Sequence, residues 1–178
     1  MNTIFIKAVS IAFLMGAISG CTETNAPPAQ VPVTDLAAVS GFTSGSAGPV
    51  RATAYVFFDA RCSHCADLYD TAKTVPEFRY QWVPVAVLGK ASEGLGAIIL
   101  SSDSPSETFE NIKAGNAPRF DEAADAKRSA VIANTSYMQS RGATSVPYIL
   151  LVEDGKVLAE TQGALPAERL RQFMRGGI

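Results

Sequence analysis

The chain has 178 residues, 47% of them hydrophobic and 18% charged, a balance typical of one globular domain and not of a disordered chain. The formal net charge is −2 and no basic patch stands out, so we expect no nucleic-acid binding. The single histidine, His64, excludes a serine-histidine-aspartate hydrolase or a histidine-rich metal site unless that residue itself takes part.

Residues 1–20 are predicted to be a lipoprotein export signal. Lys7 precedes an apolar run that is too short to span a bilayer. The stretch ISGC, ending at Cys21, resembles a bacterial lipobox, in which the cysteine is lipidated and becomes the new N-terminus. An ordinary cleaved signal with an incidental cysteine is the alternative. We therefore expect a periplasmic protein anchored to the lipid membrane through acylated Cys21. The residue after Cys21 is Thr22, whereas lipoproteins retained at the inner membrane commonly have aspartate there. We therefore expect attachment to the outer membrane.

Residues 21–49 are predicted to be a flexible tether. The stretches TETNAPPAQVPVTD and SGFTSGSAGP are rich in proline, glycine and polar residues, with at most a short helical turn near Leu36. About 24 flexible residues would reach roughly 27 Å, enough to lift a domain off a membrane surface. The folded domain is expected over residues 50–178.

The folded region is predicted to begin with a buried strand, ATAYVFFD at 52–59, because β-branched and aromatic residues fill it. A helix from about Cys62 to Thr74 follows at once, and Pro76 stops it. A second strand, FRYQWVPVAVL, is expected at 78–88. The Cys62 end of the helix therefore meets the carboxyl end of a buried strand.

The pattern becomes helical at about residues 90–141. SPSE, starting at Ser104, is a capping-box pattern for one helix, and a longer helix is expected from about 121 to 141. Gly94 and Gly96 form a GxG that is too weak to indicate a nucleotide-binding loop. We therefore expect a helical insertion between the second strand and the next one.

The C-terminal part is predicted to be a hairpin and a helix. PYILLVEDGKVLAET contains two apolar runs joined around Asp154 and Gly155, which is a strong turn signal. Pro166 opens a final amphipathic helix. The predicted fold class is therefore α/β.

The motif CSHC places Ser63 and His64 between Cys62 and Cys65. A zinc site would need four converging ligands, and a haem attachment would need histidine at the position of Ala66. A disulfide that closes so short a ring constrains little unfolded-chain entropy. We therefore predict redox chemistry with no metal and no cofactor beyond the Cys62–Cys65 disulfide. The helix N-terminus favours Cys62 as the attacking thiolate, and Cys65 would release the client.

The chain resembles the thioredoxin fold in three features: its order of elements, CSHC at a strand-to-helix junction, and SVPYILL at the start of the hairpin. Its helical insertion resembles that of the periplasmic Dsb proteins. YVFFDARCSHC and NIKAGNAPRF look most like the catalytic domains of the DsbC and DsbG disulfide isomerases. The resemblance implies that Val146-Pro147 is a cis peptide that faces the C-x-x-C and pairs with the client backbone. An ordinary trans proline is the alternative.

The chain departs from the isomerases in ways that alter the expected activity. The tether stands where their dimerisation domain would be, so we expect a monomer and a weak isomerase. C-x-H-C and the valine before Pro147 resemble the oxidase DsbA instead, and a positive His64 would stabilise the reduced thiolate and raise the reduction potential. Asp59, at the strand end, would either assist proton transfer to Cys65 or be a solvated strand-end residue.

The sequence therefore predicts a periplasmic, membrane-tethered thiol:disulfide oxidoreductase that leans towards oxidation. Its expected clients are cysteine-containing envelope or secreted proteins, and a membrane redox partner would recycle its disulfide. One alternative is a disulfide isomerase or reductase of the DsbC and DsbG type. A second alternative is a non-enzymatic lipoprotein chaperone or assembly scaffold with idle cysteines.

Overall fold

The computed structural model describes residues 33–176. Five strands form one mixed sheet: β1 (Phe42–Gly45), β2 (Thr53–Phe58), β3 (Arg79–Pro84), β4 (Tyr148–Glu153) and β5 (Lys156–Gln162). Their spatial order is β1-β3-β2-β4-β5. β2 and β3 are parallel, whereas the other neighbouring pairs are antiparallel. The carboxyl end of β2, where the C-x-x-C begins, therefore lies at the centre of the sheet.

Helices cover both faces of this sheet. In chain order they are α1 (Ser63–Lys73), α2 (Lys90–Ser101), α3 (Pro105–Lys113), α4 (Glu122–Asp125), α5 (Arg128–Ser140) and α6 (Ala167–Met174), and a 3-10 helix spans Val33–Ala38. The α/β fold with a helical insertion is confirmed, since α2 to α5 lie between β3 and β4. Within residues 33–176, no helix has the length and apolar character needed to cross a bilayer.

The two sheet faces carry separate clusters of buried side chains. On one face, Val56 and Phe58 of β2 join apolar residues of α1, α2, α3 and α6. On the other face, Phe57 packs with Met138 of α5 and with Leu36 of the 3-10 helix. This alternation is what a central strand with both faces covered requires. Packing on both faces holds β2 in place and thereby fixes the position of its carboxyl end, from which the chain continues into the C-x-x-C.

The short helical turn expected near Leu36 is present as the 3-10 helix Val33–Ala38. The prediction that the tether is otherwise flexible as far as residue 49 is wrong for residues 39–45. Leu36 and Phe42 are buried, and β1 pairs with β3. Buried Asn134 of α5 accepts a hydrogen bond from the Ser40 N–H (3.0 Å) and donates one to the Ser40 carbonyl (2.8 Å). A few isolated apolar residues therefore dock a segment whose composition is that of a linker. The predicted signal and Cys21 lie outside the described residues.

The helical insertion differs from its predicted elements in detail. The helix expected over 121–141 is divided into α4 and α5, and the Asp121 side chain caps α4 by accepting the Ala124 N–H (2.9 Å). The Ser104 side chain makes no capping hydrogen bond, so the predicted capping box does not form. Gly94 and Gly96 lie inside α2 and not in a loop.

The hairpin of β4 and β5 is present as predicted. Asp154 and Gly155 have φ angles of 47° and 72°. Positive φ at both central residues is what a tight two-residue hairpin turn of type I′ requires. The pairing continues from Glu153 and Lys156 back to Tyr148 and Gln162, with one irregularity after Leu151. The start of β4 is thereby fixed beside the carboxyl end of β2.

Candidate active site

The two cysteines occupy different environments at the start of α1. Cys62 is the N-cap residue, with extended backbone angles, and its carbonyl accepts the N–H groups of Cys65 and Ala66 at 3.1 Å each. Cys62 is half-buried, whereas Cys65 is fully buried, and both thiols are free. The exposed Sγ is therefore the one at the positive end of the helix dipole, as predicted for the attacking sulfur.

Burial raises the pKa of the Cys65 thiol well above its ordinary value. A hydrogen bond to Cys62 and the charge of Asp59 act in the same direction, whereas a hydrogen bond with the Asp59 backbone opposes them. Cys65 therefore stays a protonated thiol at neutral pH. It must lose that proton before it can attack a mixed disulfide on Cys62.

The Val146–Pro147 peptide bond is cis, so the predicted cis proline is confirmed and the trans alternative is excluded. The Cys62 Sγ donates a hydrogen bond to the Val146 carbonyl over 3.7 Å, which joins residues 84 positions apart. Val146 precedes β4, and both β4 ladders begin only at Tyr148. The loop that carries Pro147 therefore faces the exposed cysteine.

A set of part-buried hydrogen bonds fixes the loop before β4. The Pro147 carbonyl accepts the Gly163 N–H at 2.8 Å. The Tyr148 hydroxyl donates to Glu160 (2.7 Å) and accepts from Arg141 (3.2 Å). Burial and the Glu160 hydrogen bond raise the pKa of Tyr148 to about 12, so the hydroxyl stays a donor. The Pro147 end of the loop is therefore held by β5 and the residue after it, and the Arg141 end is held by Tyr148 of β4.

Asp59 is fully buried, so its interpretation as a solvated strand-end residue is wrong. One carboxylate oxygen accepts the Arg61 N–H at 2.9 Å, and the other accepts the N–H groups of Val87 and Leu88 at 3.0 and 2.9 Å. Asp59 therefore joins the loop before the C-x-x-C to the loop after β3. Sequence reasoning missed this role, although an aspartate directly after a buried strand was a signal for it. Proton transfer to Cys65 stays a prediction.

The remaining polar residues of the motif face solvent. Ser63 is exposed, and the His64 side chain is 74% exposed, with its Nδ1 3.7 Å from the Asp67 carboxylate. Asp70, further along α1 and 53% exposed, contacts Lys113 of α3 at 2.6 Å. The structure therefore gives His64 an acidic neighbour one helical turn away, which sequence reasoning did not use.

Solved structures of bacterial disulfide-exchange proteins have a similar fold. A disulfide interchange protein from Neisseria gonorrhoeae matches with a TM-score of 0.58 and 16% identity, over 76% of this chain and 94% of that chain. DsbA2 from Pseudomonas aeruginosa matches with a TM-score of 0.61 and 16% identity, over 73% and 90%. A periplasmic thioredoxin-like protein from Salmonella enterica serovar Typhimurium matches with a TM-score of 0.59 and 18% identity, over 82% and 97%. At these identities the likeness concerns the fold alone.

None of these three structures is described as a DsbC or a DsbG, so the expected closer resemblance to those isomerases stays a prediction. No curated protein sequence matches the chain. A family model described as a thioredoxin-like domain matches residues 47–177, which is most of the chain and includes the C-x-x-C and the cis proline. The chain belongs to this thioredoxin-like family.

Proposed function

We propose that the protein is a thiol:disulfide oxidoreductase that exchanges disulfides with cysteine-containing proteins of the cell envelope. One observation carries the proposal: the half-buried Cys62 Sγ lies 3.7 Å from the Val146 carbonyl, on the loop of the cis proline, with Cys65 buried behind it. A client cysteine bonded to Cys62 would lie beside the Val146 backbone, which belongs to neither ladder of β4 and where an extended chain can add as a strand.

In the oxidising direction, a client thiolate attacks the Cys62 Sγ of the Cys62–Cys65 disulfide. The bond between the two sulfurs breaks, and Cys65 leaves with the electron pair and takes up a proton, in keeping with its raised pKa. A second client thiolate then attacks the mixed disulfide and displaces Cys62. The client loses two electrons and two protons, and the Cys62–Cys65 pair gains them. The reverse sequence reduces a client.

The oxidising direction is favoured by the residues around Cys62. A protonated His64 at the start of α1 adds positive charge near the Cys62 sulfur and stabilises the reduced thiolate form, which raises the reduction potential. The carboxylate of Asp67, 3.7 Å from the His64 Nδ1, offsets part of that charge. A membrane redox partner would return the pair to its disulfide form.

Equilibration with glutathione tests the proposed chemistry. The purified protein is incubated in buffers of defined ratios of reduced to oxidised glutathione, and its thiols are alkylated and counted by mass spectrometry. We expect rapid equilibration, no exchange by Cys62→Ala, and a trapped mixed disulfide with Cys65→Ala. A pair that does not exchange would favour the non-enzymatic scaffold.

The oligomeric state distinguishes the oxidase from the isomerase proposal. An isomerase benefits from a protected cleft between two sites, and we propose that this protein acts as a monomer. Light scattering on the delipidated protein measures its mass. A stable dimer would favour the DsbC and DsbG type of activity instead.

We propose that the protein acts in the periplasm, tethered to the outer membrane through acylated Cys21. The lipobox pattern at Cys21 supports this, and one protein of similar fold is described as periplasmic. Cell fractionation of Cys21→Ser is the test. The variant is expected to leave the membrane fraction, and a variant that stays there with normal processing would contradict the proposal.

A further inference from the structure

A groove next to the C-x-x-C lies between α2 and the start of α5. Its volume is about 570 Å³. We call it the basic groove, and its principal lining residues are Arg61, Lys90, Gly94, Leu95, Ile98 and Phe120. Arg61 immediately precedes Cys62, so the groove begins beside the reactive sulfur and extends over the helical insertion.

The surface of the basic groove is partly apolar and open to solvent. Phe120 is 40% exposed, and its ring stands against α2, where a Cβ built on Gly94 would lie 3.6 Å from it. Leu88, which is 48% exposed, adjoins the groove because its carbonyl accepts a hydrogen bond from Arg61 (3.2 Å). Of the four large hydrophobic residues exposed within residues 33–176, Phe120 therefore lines the groove, and the backbone of Leu88 contacts Arg61 at its edge. Phe120, with Leu95 and Ile98 beside it, gives the groove an apolar surface that apolar side chains of a client could cover.

Two cations of the basic groove have no acidic partner in the described part of the chain. The Arg61 guanidinium donates only to the Leu88 carbonyl, and Lys90, at the start of α2, makes no ion pair. Arg128, at the far end, is instead neutralised by Asp125 at 2.8 Å and Glu93 at 3.8 Å. The groove is therefore locally positive in a chain whose net charge is −2.

We propose that the basic groove binds the client segment that flanks the reacting cysteine, and that it selects segments combining acidic and apolar residues. This inference rests on the proposed function, because it assumes that a client cysteine bonds to Cys62. A client chain bonded to Cys62 extends away from that sulfur in both directions. Arg61, the residue before Cys62, lines the near end of the groove, so one flanking segment of the client can enter it. Its acidic side chains meet Arg61 and Lys90, and its apolar side chains cover Leu95 and Phe120.

The test measures how fast the oxidised protein oxidises short dithiol peptides. Each peptide carries the same pair of cysteines, followed by a tail in which leucines alternate with glutamate, glutamine or lysine. The protein disulfide gains two electrons and two protons as the peptide disulfide forms, and thiols are counted by mass spectrometry after acid quenching. We expect the glutamate peptide to react about fivefold or more faster than the lysine peptide at low salt. The difference should shrink between about 0.01 M and 1 M salt, as the screening length falls from about 30 to 3 Å.

Two groove variants and one matched control assign the preference to the groove. Lys90→Glu should abolish or invert the order of the peptides, and Gly94→Leu should slow every leucine-bearing peptide by filling the groove. Lys156→Glu makes the same charge change at the hairpin turn, at the opposite end of the sheet from the C-x-x-C, and should keep the preference of the unmodified protein. Circular dichroism and thermal midpoints show that each variant is folded.

Reduction by dithiothreitol, a small uncharged dithiol, separates this inference from the proposed function. If dithiothreitol reduces the protein disulfide rapidly and all three peptides react at the same rate, client selection by the groove is contradicted. The proposed oxidoreductase activity is then unaffected. An acidic preference that survives Lys90→Glu, or peptide rates that Gly94→Leu leaves unchanged, would contradict client binding in the groove as well. A disulfide that neither dithiothreitol nor any peptide reduces overturns the proposed function itself.

Discussion

Behind the C-x-x-C, Asp59 and Cys65 have no exposed surface, whereas in front of it the His64 side chain is 74% exposed. On the buried side, every polar atom needs a protein partner, and Asp59 supplies acceptors for three backbone N–H groups. On the exposed side, water screens the charges around Cys62. The C-x-x-C motif therefore has a rigid support behind it, which includes Asp59. Its front is a solvent-exposed surface whose charges can change without loss of the fold.

The largest expected effect of a single substitution lies on the buried side. Asp59→Ala removes the acceptor for the part-buried N–H groups of Arg61, Val87 and Leu88, and a hydrogen bond to a charged group contributes about 1.5–3 kcal/mol. We expect a loss of roughly 3–5 kcal/mol in the free energy of unfolding, measured with urea.

The control for this substitution is Asp67→Ala, whose carboxylate is 70% exposed on the next turn of α1. It should change the free energy of unfolding by no more than about 0.5 kcal/mol. Asp59→Asn, which keeps one acceptor oxygen, should fall between the two. A loss below about 1 kcal/mol for Asp59→Ala would show that the two loops do not depend on this carboxylate.

The same contrast between a packed and an open position exists within α2. A Cβ built on Gly96 would lie 3.1 Å from Val131 and 3.2 Å from Pro84, whereas on Gly94 the nearest atom belongs to Phe120 at 3.6 Å. We expect Gly96→Ala to cost about 1–3 kcal/mol through overpacking. Gly94→Ala should stabilise by up to about 1 kcal/mol, because alanine favours the helix. Urea unfolding of both variants is the measurement, and equal effects would contradict the packing explanation.

The exposed side should respond in reduction potential and not in stability. His64→Ala removes the imidazole whose protonated form would place a positive charge near Cys62, and we expect a more reducing Cys62–Cys65 pair by about 30 mV, a tenfold change in the equilibrium. Asp67→Asn removes the opposing charge 3.7 Å from His64 and should shift the potential the other way by less. Both potentials are measured against glutathione. A His64→Ala potential unchanged within about 10 mV would leave His64 without this role.

The difference between the two sides also explains what the sequence could predict. β2 and the C-x-x-C at its end were predictable from local pattern and a short motif, whereas the cis Pro147 was predicted only through the resemblance of SVPYILL to the thioredoxin fold. The contacts of Asp59 were not, because they depend on where the loop after β3 passes. The docking of residues 33–45 was missed for the same reason, since Asn134 holds Ser40 across 94 positions. The basic groove likewise exists only once α2 and Phe120 are brought together.

The smallest expected effect concerns an ion-pair cluster on the outer faces of α1 and α3. Asp70 and Glu110 both contact Lys73 and Lys113. Partial burial alone would raise the carboxyl pKa values, but hydrogen bonds from the two lysines lower the pKa of Asp70 and of Glu110 below their ordinary values.

A lowered pKa in the folded state stabilises the protein at a pH above the unfolded values of about 3.9 for Asp70 and 4.3 for Glu110. That contribution is lost as the pH falls through the lowered folded values. The double variant Asp70→Asn/Glu110→Gln should therefore be less stable than the unmodified protein at pH 7, by about 1 kcal/mol or less because the groups are about half exposed. Urea unfolding at pH 7 and at about pH 2 should show the gap closing at the lower pH. Asp103→Asn, at a site without a described ion pair, is the control, and a gap that persists at about pH 2 would show that the cluster stabilises by packing instead of by charge.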